Sequence, residues 1–416
     1  MINQQQWNYK ALGEIAGDVR ELYEPKKDEK LPYIGLEHIN QDTLTINGVG
    51  DSSQTQSTKK KFDSTTILFG SLRPYFRKVY RPFFSGVCST DITVLRPRKD
   101  NNRNFLFYFI ANRDFIDIAT NFSNGTRMPR ANWKALSKRK WLFPEYDTQK
   151  KIGYVLSSYD DLIENNNRRI QLLEQMAKLI YDEWFVKFKF PGNEYLKMVD
   201  SELGEIPEGW QVKTMKDMSQ VIDCLHAKKP EVLQSGRNLF LQLENIGQNG
   251  KINLTKKFYI SDEDYQKWTS RIEVSEGDCV ITNVGRVGAV AQIPAKIKAA
   301  IGRNMTAIRP TRIPASFLIQ YLLSTHMLKE KSLKVDSGTI MDALNVRNIY
   351  KLSLSIPDIK IMNLFDNLIT PIRKEINVLL DKNIDLACSR DTILPKLISG
   401  ELDISELDIK VLEVEA

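Results

Sequence analysis

The segment Gly70-Ser71-Leu72-Arg73-Pro74-Tyr75-Phe76-Arg77-Lys78 interleaves three cations with two aromatic side chains directly after an apolar run. Lysine and arginine neutralise phosphates, and a planar guanidinium also matches the acceptor edge of guanine, so this composition suits a loop lying on a nucleic-acid backbone. Ser71, Arg73, Tyr75, Arg77 and Lys78 are its candidate contacts, with a hydrated β-hairpin as the alternative reading. A second candidate is Asn124-Gly125-Thr126-Arg127-Met128-Pro129-Arg130, where Thr126, Arg127 and Arg130 follow a glycine turn; plain turn residues are the alternative there. Lys59-Lys60-Lys61 reads as a solvated loop adding nonspecific phosphate attraction at best.

Catalytic constellations are missing. His38, His226 and His326 have no metal-ligand spacing, and neither a nucleophile elbow nor a phosphate-binding loop is present. No Asn-Pro-Pro or Asp-Pro-Pro run precedes an aromatic, the pattern with which amino-methylating enzymes hold a flipped base. Cys88, Cys224, Cys279 and Cys388 stand far apart and read as packing thiols of a reducing compartment. The amino-terminal residues have no basic start and no apolar stretch, and no run of about 18 apolar residues could span a bilayer. The expectation is a cytoplasmic protein without a membrane partner.

Charge is unevenly placed. The chain of 416 residues carries a net +7, and residues 1–146 hold 23 Lys and Arg against 15 Asp and Glu, which is +8 and therefore the whole excess. A polyanionic partner and a merely solvated basic surface both fit that distribution.

These residues must be positioned by elements that occur twice. A shift of 213 places Arg73 on Arg286, Arg96-Pro97 on Arg309-Pro310, Gly125-Thr126 on Gly338-Thr339, Met128 on Met341, Asn132 on Asn345 and Pro144 on Pro357, without a gap from about residue 67 to residue 144. Upstream the offset shrinks: Leu36-Glu37-His38-Ile39 matches Leu243-Glu244-Asn245-Ile246, and Trp7 matches Trp210. The second copy of the first loop, Thr282-Asn283-Val284-Gly285-Arg286-Val287-Gly288, offers Asn283 and Arg286 but loses the other cations. The second copy of the glycine turn, Ser337 to Asp342, offers Thr339 and no arginine. Each copy begins with short β-rich runs such as Thr66-Ile67-Leu68-Phe69, and one short helix is expected over Phe105 to Phe115 and over Phe317 to Leu328.

After Phe143-Pro144 and Ile356-Pro357 each copy continues as one long helix. Alternate steps of four and three give Ile152, Leu156, Tyr159, Ile163, Asn166, Ile170, Leu173, Ala177, Ile180 and Trp184 in the first. The second gives Phe365, Ile369, Ile372, Ile376, Leu379, Asn383, Leu386, Arg390, Ile393 and Leu397, with Arg390 as its weak point. These are heptad seams, and two in one chain predict mutual pairing. In an antiparallel pair Asn166 faces Asn383, so that two buried amides satisfy one another and fix the register. Pro371 and Pro395 are expected to bend the second helix. A helix of about 40 residues is roughly 60 Å long, more than the roughly 34 Å of one DNA turn.

The repeated Gly-Thr turn, the Phe-Pro or Ile-Pro entry into a long helix, and Gly204-Glu205-Ile206-Pro207-Glu208-Gly209-Trp210 at the start of the second half together resemble the specificity subunits of type I restriction-modification systems. Tyr181-Asp182-Glu183-Trp184-Phe185 is similar to the end of that family's central spacer, and Leu394 to Leu402 to the end of its distal one. The resemblance covers essentially the whole chain. It implies an α+β fold with two mixed α/β target-recognition domains, residues 1–146 and 191–358. Spacer helices at 147–190 and 359–400 form an antiparallel coiled coil with an internal pseudo-twofold repeat, and 401–416 is an acidic tail. It also implies double-stranded DNA as a partner, each domain reading half of a split asymmetric site, and the helices measuring the gap. Two methyltransferase subunits would dock on the helices and bring S-adenosylmethionine, so that this chain needs no cofactor, and two translocating nuclease subunits can join. A self-contained DNA-modifying enzyme and a coiled-coil scaffold without a DNA role are the rival readings.

Overall fold

The computed structural model describes residues 7–125, 127–192, 197–247, 249–254, 256–336 and 342–411. The chain forms two units, Met1–Asn166 with Asp381–Ala416, and Asn167–Leu380.

In the first unit the all-apolar strand Ile67–Gly70 is buried along its whole length, because both faces of its sheet are covered. It lies in an antiparallel sheet of order Ala16–Asp18, Ile92–Pro97, Ile67–Gly70, Val79–Tyr80. Trp7–Ala11 pairs with Lys140–Pro144, and a second sheet contains the parallel pair Pro32–Ile34 and Gly86–Cys88. Helix Arg103–Ala111 is buried from Phe105 onward and starts at Asn102, whose Oδ1 accepts the Phe105 amide at 3.0 Å. Its Phe109 ring packs 4.8 Å from Phe143 and 5.2 Å from Trp141.

The second unit repeats this plan. Gln211–Thr214 pairs with Ser353–Ile356, the sheet order is Ser219–Asp223, Met305–Pro310, Cys279–Thr282, Val290–Gln292, and Phe240–Leu241 runs parallel to Ala300–Ile301. Strands Ile92–Pro97 and Met305–Pro310 begin 213 residues apart, as do the long helices at Tyr146 and Ile359. Three local expectations are corrected. Each short helix is two, Arg103–Ala111 with Arg113–Asn121 and Ala315–Leu323 with Thr325–Leu333. Asn112 and Ser324 interrupt them in extended conformation, and Ser324 Oγ accepts the Met327 amide at 3.1 Å. Lys59-Lys60-Lys61 is strand rather than loop, with its amines held by Ser57, the Ile92 carbonyl and Glu21. Cys88, Cys224 and Cys279 are buried as expected of packing thiols, whereas Cys388 is exposed.

The first long helix spans Tyr146–Tyr181 and ends in a wider turn, Asp182–Val186. The other spans Ile359–Ser399 without interruption at Pro371 or Pro395, both of which are exposed. No seam position of either helix is exposed. In the first unit Ile152 and Leu156 share a core with Leu394 and Leu397, and Asn166 donates from Nδ2 to Asn383 Oδ1 at 2.9 Å. In the second, Ile170 packs with Ile376 and Leu379, Arg169 pairs with Glu375 at 2.8 Å, and Tyr181 lies 6.0 Å from Phe365, ring to ring. Residue numbers rise on one helix as they fall on the other, so the pair is antiparallel. Gly153 sits mid-helix at some cost in propensity because a Cβ there would lie 2.6 Å from Asn102 Oδ1 and 2.9 Å from the Phe105 amide nitrogen.

Arg390, expected as a gap in the seam, is instead an ionic tie. Its guanidinium is 1% exposed, donates to Asp160, and holds Asp391 through Nε at 3.1 Å and Nη2 at 2.9 Å. Asp160 also accepts the Tyr108 hydroxyl. Burial and the adjacent Asp160 raise the Tyr108 pKa well above its ordinary value, so that hydroxyl stays protonated and donating. The helices are thereby joined to the helical layer of the first module by hydrogen bonds to charged groups, which are stronger than neutral ones.

Candidate nucleic-acid interface

Three loops are stitched together at one end of the antiparallel sheet in the first unit. The amide of Ser71 donates to the Asp91 carbonyl at 2.9 Å, Arg73 donates its amide to Pro129 at 2.7 Å, and the Ala131 amide reaches the Ser71 carbonyl at 2.9 Å. The two candidate segments, distant in sequence, are therefore neighbours. The second unit repeats the stitching: Asn283 donates its amide to the Asn304 carbonyl at 2.8 Å, and Leu344 donates to Asn283 at 2.8 Å. A duplicated backbone frame thus holds different side chains in each copy.

The side chains divide into those turned outward and those used to build the frame. Arg73 is exposed, sits in the left-handed region at φ 52°, and makes no side-chain hydrogen bond or ion pair among the described residues. Tyr75 is 46% exposed, and Arg127 is exposed with no such partner either. Arg130 is exposed and rests on Asp91 at 3.0 Å. Ser71 is buried, with its hydroxyl on the Asp91 carbonyl at 2.7 Å.

Arg77 and Lys78 depart from the expected arrangement. Arg77 is 3% exposed and donates to the carbonyls of Ala111 at 2.6 Å and Asp42 at 3.2 Å, with Asp391 at 3.7 Å. Ala111 ends a helix, where carbonyls lack intrahelical partners and carry partial negative charge, and that is what draws the guanidinium inward. Burial lowers its pKa and Asp391 opposes that shift. Lys78 is half-buried on the Leu36 carbonyl. Neither cation faces outward. Thr126 and Thr339 lie outside the described residues.

In the second copy Asn283 belongs to the frame, with Nδ2 on Thr306 Oγ1 at 3.0 Å and on the Leu344 carbonyl at 2.8 Å. Arg286 is exposed but donates to the Ile246 carbonyl. Lys331 braces the same loop from behind: 5% exposed, it donates to the carbonyls of Gly288 at 2.8 Å and Leu322 at 3.1 Å, and burial pushes its pKa down to about 8. Sequence reasoning missed Arg303, which is exposed in the turn between Ala300–Ile301 and Met305–Pro310. The first copy has Thr90 at the matching place, so the repeat gave no hint; a lone cation in Gly302-Arg303-Asn304 was the available signal.

Comparison with known proteins agrees with this duplicated geometry. The family model described as type I restriction modification DNA specificity domain matches twice, at residues 4–175 and 207–381. The chain belongs to that family. It is 24% identical to the type I restriction enzyme MjaIX specificity subunit of Methanocaldococcus jannaschii over 96% of this chain and 93% of that one. It is 22% identical to the type I restriction enzyme HindI specificity subunit of Haemophilus influenzae over 95% and 99%. Its fold is similar to the crystal structure of the type I restriction-modification system S subunit from M. genitalium, with a TM-score of 0.56 and 14% identity over 95% and 96% of the two chains. No helix among the described residues is long and apolar enough to cross a membrane.

Proposed function

We propose that this chain is the DNA sequence-specificity subunit of a cytoplasmic type I restriction-modification complex, supplying recognition and no chemistry of its own. Each module reads one half of a split, asymmetric duplex site, and the helix pair sets the gap. Two methyltransferase subunits dock on the helices, bring S-adenosylmethionine and methylate adenine, and two translocating nuclease subunits can join that core. The observation that carries the reading is the twofold occurrence of one three-loop frame whose outward side chains differ: a shared scaffold with unlike contacts is what two unlike half-sites require.

In the first module Arg73, Tyr75, Arg127 and Arg130 are the contacts, while Ser71, Arg77 and Lys78 hold their loop in place. The test is duplex binding by the full chain with its methyltransferase partner at rising salt. Affinity should fall log-linearly with salt, with a slope of about −0.9 per neutralised phosphate. Binding that ignores salt would favour a scaffold without a DNA role.

A further inference from the structure

The second module keeps the loop frame, but the one cation of its Thr282–Gly288 loop, Arg286, is tied to the Ile246 carbonyl, so another surface must contact its half-site if the proposed function holds. Beside the frame lies an open groove lined by Lys229, Gln242, Glu244, Trp268, Arg303 and Asn304. Three features mark it. Arg303 is exposed and makes no hydrogen bond or ion pair among the described residues. Trp268 is 2% exposed, and its indole N–H is buried without a partner among the described residues, an uncommon and costly state for a buried donor. Asn304, next to Arg303, takes the left-handed conformation at φ 64°, which asparagine adopts more readily than most residues, and its carbonyl takes the amide of Asn283. The groove is thus fastened directly to the duplicated frame.

The geometry points to this groove as the base-reading surface of the second module, with Arg303 as its principal specificity-determining residue. The unengaged cation that the Thr282–Gly288 loop lacks, its Arg286 being tied to the Ile246 carbonyl, is supplied by Arg303 in the turn before Met305–Pro310. A planar guanidinium presents paired donors that fit O6 and N7 of guanine in the major groove. Gln242 and Glu244 bring the groups that pair with adenine and with the cytosine amine, and Lys229 supplies phosphate attraction at the rim. The first module has no such groove residue at the matching turn, where Asp91 is taken up by Arg130. The two halves are consequently read from different loops of the same frame.

The test selects binding sites from a randomised duplex library with the assembled complex of the full chain, comparing the natural sequence with Arg303→Ala, Arg303→Lys and Gln242→Leu. Arg303 is exposed, and thermal melting checks that each variant is folded. Arg303→Ala and Arg303→Lys should lower discrimination at one base pair of one half-site by about 10- to 100-fold and leave the other half unchanged. Gln242→Leu should relax a different position of the same half. A split motif retained unaltered by all three variants overturns the inference while leaving the proposed function standing. An undivided motif in the natural chain removes the proposed function and this inference with it.

Discussion

Arg73 and Arg77 are four residues apart in one basic run, yet one faces solvent and the other is enclosed. Their substitutions should therefore fail differently. Arg73→Ala and Arg127→Ala should each weaken duplex binding and reduce the salt slope by about 1 while melting stays near the natural value. Arg77→Ala should cost stability first, on the order of 2 kcal/mol, because it strips the partner from the buried Ala111 carbonyl and removes one of the two arginines facing Asp391. A calorimetric scan beside a binding titration separates the two. Lys331 makes a pH prediction. Its folded pKa of about 8 lies below the roughly 10.4 of an unfolded lysine, so between those values the unfolded chain holds a proton that the fold has released. Stability from this group therefore rises with pH across that window. Relative to Lys331→Met, the natural chain should gain up to about 3 kcal/mol from pH 8 to pH 10.5, measured by denaturant titration. The cationic character of the first loop was legible from composition alone. The inward turn of Arg77 was not, since it depends on a helix-end carbonyl 34 residues away that no local pattern announces.

At the scale of elements the heptad seams carried the most information. A strict period of 3.5 can be satisfied only by a partner helix, and the buried or partly buried state of every seam position follows from it. The asparagines were legible for the same reason, as one central amide in each largely apolar stripe. Replacing Asn166 and Asn383 together by leucine should raise stability by removing a desolvated amide pair, while loosening the register that their hydrogen bond fixes. Denaturant midpoints and cross-linking between engineered cysteines would report the two effects; unchanged values for both would count against the register role. Arg390 was misjudged because its partners Asp160 and Asp391 lie outside the stripes, and Asp160 is held in turn by Tyr108 of a separate helix. The break in each short helix pair was likewise hidden, since apolar residues on both sides of Asn112 and Ser324 continue to look helical.

For the molecule as a whole, the duplication was legible because its register runs without a gap through the sheet, the short helices and the entry into each long helix. What the duplication could not convey is how the side chains on the shared frame differ in placement, because the frame is made by backbone hydrogen bonds and leaves side chains free to diverge. Exchange of residues 1–146 for the corresponding domain of a relative should accordingly alter one half of the recognised site and spare the other. The most direct measurement is a genome-wide map of adenine methylation in a cell carrying this chain with its methyltransferase partner. The account predicts a single motif made of two short specified segments around an unspecified gap of constant length. Methylation confined to one continuous motif, or none that depends on this chain, would contradict it.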